Sequence, residues 1–273
     1  MRLNKITVIV FAMLCSNNVH AGLFSSEDDF KCGRDDAVNA IKHYIKDTAA
    51  GLIQEQSMKQ SVILQNKPVS EYLTKLDSVQ INVTGASTFS NSSTTDVSCQ
   101  AKISISLPKE VMDVIRIMPE KLSEIQSRKA LFNNGSIVWG KYEYSLKLSD
   151  DKTSISVTDN MDNVASNELY GSVIMAVNKN ELISIHNKNK FNESLSRYRY
   201  ADSHLNQIWK NMPDPVRESM KASQQTWVKE KVAECGKISD AMDDIKDMDT
   251  RIKILNCQTK MTKNRISFFV GDN

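Results

Sequence analysis

Four cysteines do most to limit how this chain can fold. The sequence of 273 residues holds five, and the first, Cys15, closes an apolar run that begins at Ile6 behind the basic start Met1-Arg2-Leu3-Asn4-Lys5. That run is about ten residues long, short of the roughly 20 a membrane-spanning helix needs. Val19 and Ala21 then supply the small residues that precede a cleavage point. Residues 1–21 are therefore expected to be a bacterial-type secretory signal, cut near Ala21, with no integral membrane segment left behind. Leu14 stands where a lipid-anchor motif wants a small residue, so Cys15 is not read as a lipid attachment site. Cys32, Cys99, Cys235 and Cys257 remain, and an even number in an exported chain favours disulfides over free thiols. Three pairings are possible; the most local joins Cys235 to Cys257 and leaves Cys32 with Cys99. Neither pair has the Cys-x2-Cys spacing of a zinc site.

Loss of residues 1–21 removes Arg2 and Lys5 and no acid, so 35 basic and 33 acidic side chains become 33 of each. A neutral surface with no Lys/Arg run gives no electrostatic case for nucleic acid or an anionic membrane as partner.

Residues 34–54 read as a first helix, with Val38, Ile41, Ile45 and Ala49 at helical spacing and Asp35 and Asp36 in the first turn. Period-two alternation predicts strands over Val79–Val83, Val97–Leu107 and Tyr142–Leu148, and Ile155 with Val157 suggests a fourth. The polar stretch Gly85–Thr95 reads as the loop of a long hairpin, and residues 108–132 and 161–178 as helical. Near residues 186–200 the texture changes, and from there the pattern is helical to the end. Tyr200, Leu205, Ile208 and Trp209 mark one helix. Asp214-Pro215 reads as N-cap and first position of a second. Ser239 would cap a third, with Met242, Ile245, Met248, Ile252 and Leu255 as its apolar stripe. The expected fold class is α+β: an N-terminal helix on a small antiparallel sheet over residues 22–190, then an all-α hairpin or bundle over 196–270. A Cys235–Cys257 disulfide would staple the second and third of those helices.

The last third also carries an uncommon pattern: Gln224-x2-Trp227-x3-Lys231-x3-Cys235, followed by Cys257-x4-Thr262-x2-Arg265. With Leu205-Asn206 ahead of it and Met212-Pro213 between, residues 200–268 resemble the LprI-like family, named after a lysozyme inhibitor. The chain departs from the family pattern at Lys231, where arginine is usual, at Trp209 in place of tyrosine, and at Met212 in place of leucine. The resemblance implies a non-enzymatic protein of the periplasm, or a secreted one, that binds a protein partner, its specific form being a lysozyme-like muramidase. On the residues themselves, Trp227 is expected to anchor the core between helices. Gln224 is expected to bond either the indole N–H or a neighbouring helix, and Lys231 and Arg265 to pair with acids across the hairpin.

No Gly-x-Ser-x-Gly elbow, phosphate loop, His-Glu-x2-His or dinucleotide fingerprint occurs, so no catalytic residue, metal site or cofactor is assigned. The alternative reading is a cell-envelope enzyme, or an accessory or sensor protein, with its site in the N-terminal part. It would need His43, His186 or His204 to line a deep pocket. Asp240, Asp243, Asp244, Asp247 and Asp249 cluster without calcium-loop spacing and read as a solvated helix face; the sharper reading is an acidic patch for a cationic enzyme.

Overall fold

A computed structural model describes residues 30–59, 67–91, 93–127 and 129–271; the expected signal segment lies outside them. In chain order the elements are α1 (Asp35–Met58), α2 (Val69–Ser78), β1 (Ile81–Asn91), β2 (Asp96–Ser106), α3 (Lys109–Ile117), a 3-10 turn (Pro119–Glu124), β3 (Leu131–Asn133), β4 (Ser136–Leu148) and β5 (Ile155–Asp159). They are followed by α4 (Val164–Val177), α5 (Lys179–Asn211), α6 (Asp214–Cys235), α7 (Ile238–Met242) and α8 (Met248–Val270). The expected α+β class holds: a five-stranded antiparallel sheet and its helices, then a helical region containing the Cys235–Cys257 disulfide.

The sheet runs in the order β1-β2-β4-β3, with β5 sharing the β3 edge of β4. Its inner face is the alternating set Val97, Cys99, Ala101, Ile103 and Ile105 of β2, all buried. On β4 the alternation slips: Ile137 and Trp139 face inward, and so do Tyr142, Tyr144, Leu146 and Leu148. The slip is a bulge, because Ala101 pairs with Tyr142 while Ile103 pairs with Trp139, so Gly140 and Lys141 oppose Lys102 alone. It brings Trp139 and Tyr142 into edge-to-face contact at 5.8 Å. α1 meets this face with Ala37, Ile41, Ile45, Ala49 and Ile53, one every fourth residue, all fully buried. α4 packs in turn on α1, α2 and α3. Gly171 of α4 lets the 3-10 segment approach, since a Cβ there would stand 3.1 Å from Ile125.

Four expectations need correction. The hairpin is present, but its loop is shorter than Gly85–Thr95: β1 continues to Asn91 and β2 begins at Asp96, so the polar residues from Gly85 to Asn91 belong to an edge strand with a wet face. The irregularity that disguised it is a bulge at Gly85, whose φ of 61° suits glycine. Residues 108–132 are not one helix; α3 ends at Ile117, and Pro119 opens the 3-10 turn before β3. Pro215 is the second residue of α6, with Pro213 in the N-cap place. The third C-terminal helix is two: α7 stops at Met242, Ile245 leaves the apolar stripe for solvent, and Asp247 rather than Ser239 supplies a side-chain cap, accepting the Thr250 N–H at 2.8 Å. Across the change of texture there is no break at all. α5 runs unbroken for 33 residues, about 50 Å, touching α3 and α4 near its start and α8 further on.

Candidate functional site

The apolar contacts of α5 and α8 set the frame of the helical part. Arg251 of α8 lies 4.4 Å over the ring of Phe191 on α5, and Phe269 of α8 meets Trp209 of α5 at 5.9 Å. Both contacts keep the same offset, so the two helices run parallel. α6 returns antiparallel to them, joined to α8 by the Cys235–Cys257 disulfide at one level and by Gln224 with Arg265 further along. The buried apolar cluster is small: Phe191, Ala241, Ile252, Ile254 and Leu255. α6 adds no aliphatic side chain to it and buries only Lys231 and Cys235.

Polar and cationic groups fill the space instead. Gln224, Trp227 and Lys231 lie one turn apart on α6, as Thr262 and Arg265 do on α8, so the two sets form facing rows. The buried Lys231 Nζ sits 4.8 Å over the Trp227 ring and 5.9 Å over that of Tyr198. It lies 3.8 Å from an Asp202 carboxylate oxygen and donates to Thr262 Oγ1 at 3.5 Å. The Thr262 hydroxyl in turn donates to the Gln258 carbonyl at 2.8 Å. Arg265 donates through Nε to Gln224 Oε1 at 2.8 Å and through Nη2 to Ser223 Oγ at 3.1 Å. Its guanidinium stacks at 4.7 and 4.6 Å on Phe268 and Phe269, and at 5.7 Å on Trp227. The indole of Trp227 thus has two cations within cation–π range, each contact contributing about 0.5–2 kcal/mol.

Three expectations change with this geometry. Trp227 is half-buried and stands outside the apolar cluster, so it works as an aromatic plate for cations rather than as a core anchor. Lys231 meets its acid on α5, not across the α6–α8 hairpin. Arg265 bonds to an amide and a hydroxyl rather than to an acid, and Gln224 gives its oxygen to that helix-to-helix bond. Tyr198, Asp202, Ser223, Phe268 and Phe269 complete the seam and were not singled out from sequence. The i, i+4 spacing of Tyr198 and Asp202 on α5 was the available signal.

Burial holds the Lys231 ammonium below the usual lysine range, and Asp202 offsets part of that effect. A lysine lowered in the folded state costs stability while it is charged, and the cost fades as pH rises from the folded towards the unfolded value. The wild type is therefore expected to gain on Lys231→Met as pH is raised towards the lysine range. At neutral pH the methionine variant should lie within about 2 kcal/mol of wild type, since a buried ion pair is often replaced at little cost. Urea melts at several pH values check this; a wild-type minus variant difference that does not move with alkaline pH would count against a buried, strained ammonium.

The remaining candidates disperse. His43 on α1 and His204 on α5 are exposed, and His186 lies about 27 Å along α5 from His204. A groove of about 440 Å³ between the 3-10 turn, α4 and the start of α5 is lined by Ile125, Tyr170, Ile174, Met175, Leu182 and Ile185, among others, and no histidine reaches it. The aspartates of 240–249 do not share one helix face. Asp240 pairs with Lys246 at 3.2 Å, Asp244 with the buried Arg251 at 2.8 Å, and Asp247 caps α8. No helix among the described residues is long and apolar enough to cross a membrane.

These features define a disulfide-stapled helical bundle with a cation–aromatic seam, carried by a long helix out of an α+β sheet unit. Residues 188–269 match the family model described as Lysozyme inhibitor LprI, a span that begins within α5, runs through α6 and α7 to Phe269 of α8, and takes in every residue of the seam. The match is confined to the C-terminal region, which is similar to that family; residues 30–187 lie outside it. No curated protein and no solved structure matches the chain.

Proposed function

We propose that this protein is an exported, non-enzymatic inhibitor of lysozyme-like muramidases, and that its LprI-type helical part holds the partner-binding surface. The observation that carries this reading is the family match over residues 188–269. The short basic and apolar N-terminal segment supports export to the periplasm or beyond, and the two disulfides fit an oxidising compartment. In this reading residues 22–190 and 196–270 act as two units. The unbroken α5 fixes the direction in which the second projects from the first.

The seam residues act indirectly. Lys231 and Arg265 are buried, and their hydrogen bonds and ring contacts are spent within the bundle, so they set its shape rather than touch an enzyme. Purified residues 22–273, titrated against a panel of lysozymes in a cell-wall lysis assay, test the proposal. The expected result is saturable, stoichiometric loss of lysis for at least one muramidase at micromolar excess. A full panel left uninhibited would sink it.

A further inference from the structure

The turn between α7 and α8 is the most exposed apolar point of the bundle. Ile245 is 94% exposed at its tip, with half-exposed Met242 beside it. The tip is nonetheless held firmly. The Ile245 N–H donates to Asp243 Oδ1 at 3.0 Å, and the Lys246 N–H to the Asp243 carbonyl at 3.2 Å. Arg251, buried beneath, donates to the Ala241 carbonyl at 2.8 Å and stacks on Phe191. Gln258 ties the Gly236 carbonyl at 2.6 Å, next to the Cys235–Cys257 disulfide. An isoleucine fixed in water gains nothing from the fold that holds it. Its stiffness would, however, lower the entropic cost of docking. Residues 240–249 carry five aspartates against one lysine, while the chain beyond Ala21 is neutral overall. Among the described residues, Asp243, Asp247 and Asp249 have no cation within ion-pair distance.

We propose that this tip is the contact surface for the enzyme: Ile245, with Met242, enters an apolar recess of a cationic muramidase, and the unpaired aspartates meet the basic rim around it. This rests on the functional reading above and deepens it by naming the surface. An apolar centre supplies most of the affinity of such a contact, and the surrounding charges chiefly supply the association rate.

The test compares wild type, Ile245→Asp, the pair Asp243→Asn with Asp249→Asn, and Val270→Asp at the opposite end of the bundle. Each is checked for an unchanged thermal melt and titrated against the muramidase that wild type inhibits. Ile245→Asp should weaken inhibition roughly tenfold or more. The double asparagine variant should associate several-fold more slowly and lose salt dependence, and Val270→Asp should match wild type. Inhibition by Ile245→Asp within twofold of wild type would overturn the surface while leaving the inhibitor reading intact. A wild type that inhibits nothing removes the inhibitor reading itself, and the surface with it.

Discussion

Replacing Cys32 and Cys99 together by alanine is expected to cost the sheet part about 4 kcal/mol, on the chain-entropy estimate for a closed loop of this length. The two residues are 67 apart in sequence, and both side chains are fully buried. The bond fastens the segment ahead of α1 to the middle of β2, where Cys99 stands between Thr88 of β1 and Tyr144 of β4. The Cys32 N–H donates to Thr88 Oγ1 at 3.1 Å, so the same point also anchors the edge strand. Without the bond, the start of α1 is held by that backbone hydrogen bond and by its apolar stripe. Small domains have about 5–15 kcal/mol in all, so a loss of this size takes away a large share. Urea unfolding of wild type and variant, followed by the near-ultraviolet signal of buried Trp139, measures it. A loss below about 1 kcal/mol would mean that the core alone holds the α1 start in place.

What could be read from the sequence depended on whether a residue's local pattern and its tertiary environment agreed. They agree along α1, where the expected Ile41, Ile45 and Ala49 are buried, with Ala37 rather than the half-buried Val38 extending the stripe. They agree again over Val97–Leu107 and Tyr142–Leu148. They part at the bulges. The inward-facing Trp139 and Tyr142 are three residues apart, a spacing no regular strand allows, so the first half of β4 was not visible in the alternation. The continuation of β1 beyond Val83 was hidden for the same reason at Gly85, and because an edge strand with one wet face needs few apolar residues. α2 was missed as well: it buries only Tyr72 and Leu76, too few positions to establish a helical period.

The candidate site divides in the same way. Gln224, Trp227, Lys231, Thr262 and Arg265 are one turn apart in two rows, and their adjacency was legible in those spacings. Their roles were not, because cation–aromatic stacking leaves no periodic trace: an exposed lysine and a buried one look alike in sequence. That Lys231 is buried while Trp227 beside it is only half so follows from α5, whose Tyr198 and Asp202 close over the lysine. The tip at Ile245 was misread because the isoleucine falls in phase with Met242 and Met248. The helix that would have used that phase is interrupted by Asp243 and Asp247, which bond locally to backbone N–H groups.

Breaking the second disulfide is expected to have the larger functional effect. Cys235 and Cys257 are 22 apart, and losing the bond should cost the bundle about 3 kcal/mol. The consequence is local because of what α6 lacks. α5 and α8 share Phe191, Ile252, Ile254, Leu255, Trp209 and Phe269, whereas α6 buries one lysine and one cysteine and is otherwise held by the Arg265 bonds and the stacked cations. Cation–π contacts and hydrogen bonds of about 1 kcal/mol each do not offset the entropy of ordering a helix of 22 residues. The Cys235→Ala, Cys257→Ala variant should therefore keep the α5–α8 pair and release α6 at moderate temperature. Limited proteolysis should then cut within residues 214–235 before it cuts α8, and Trp227 fluorescence should shift towards that of a solvated indole. Inhibition should fall with the release of α6, because Cys235 and Gly236 anchor the start of α7, which leads into the α7–α8 turn, through the disulfide and the Gln258 bond. A variant that resists proteolysis in α6 as well as wild type does would show that the cation–aromatic seam holds the helix unaided.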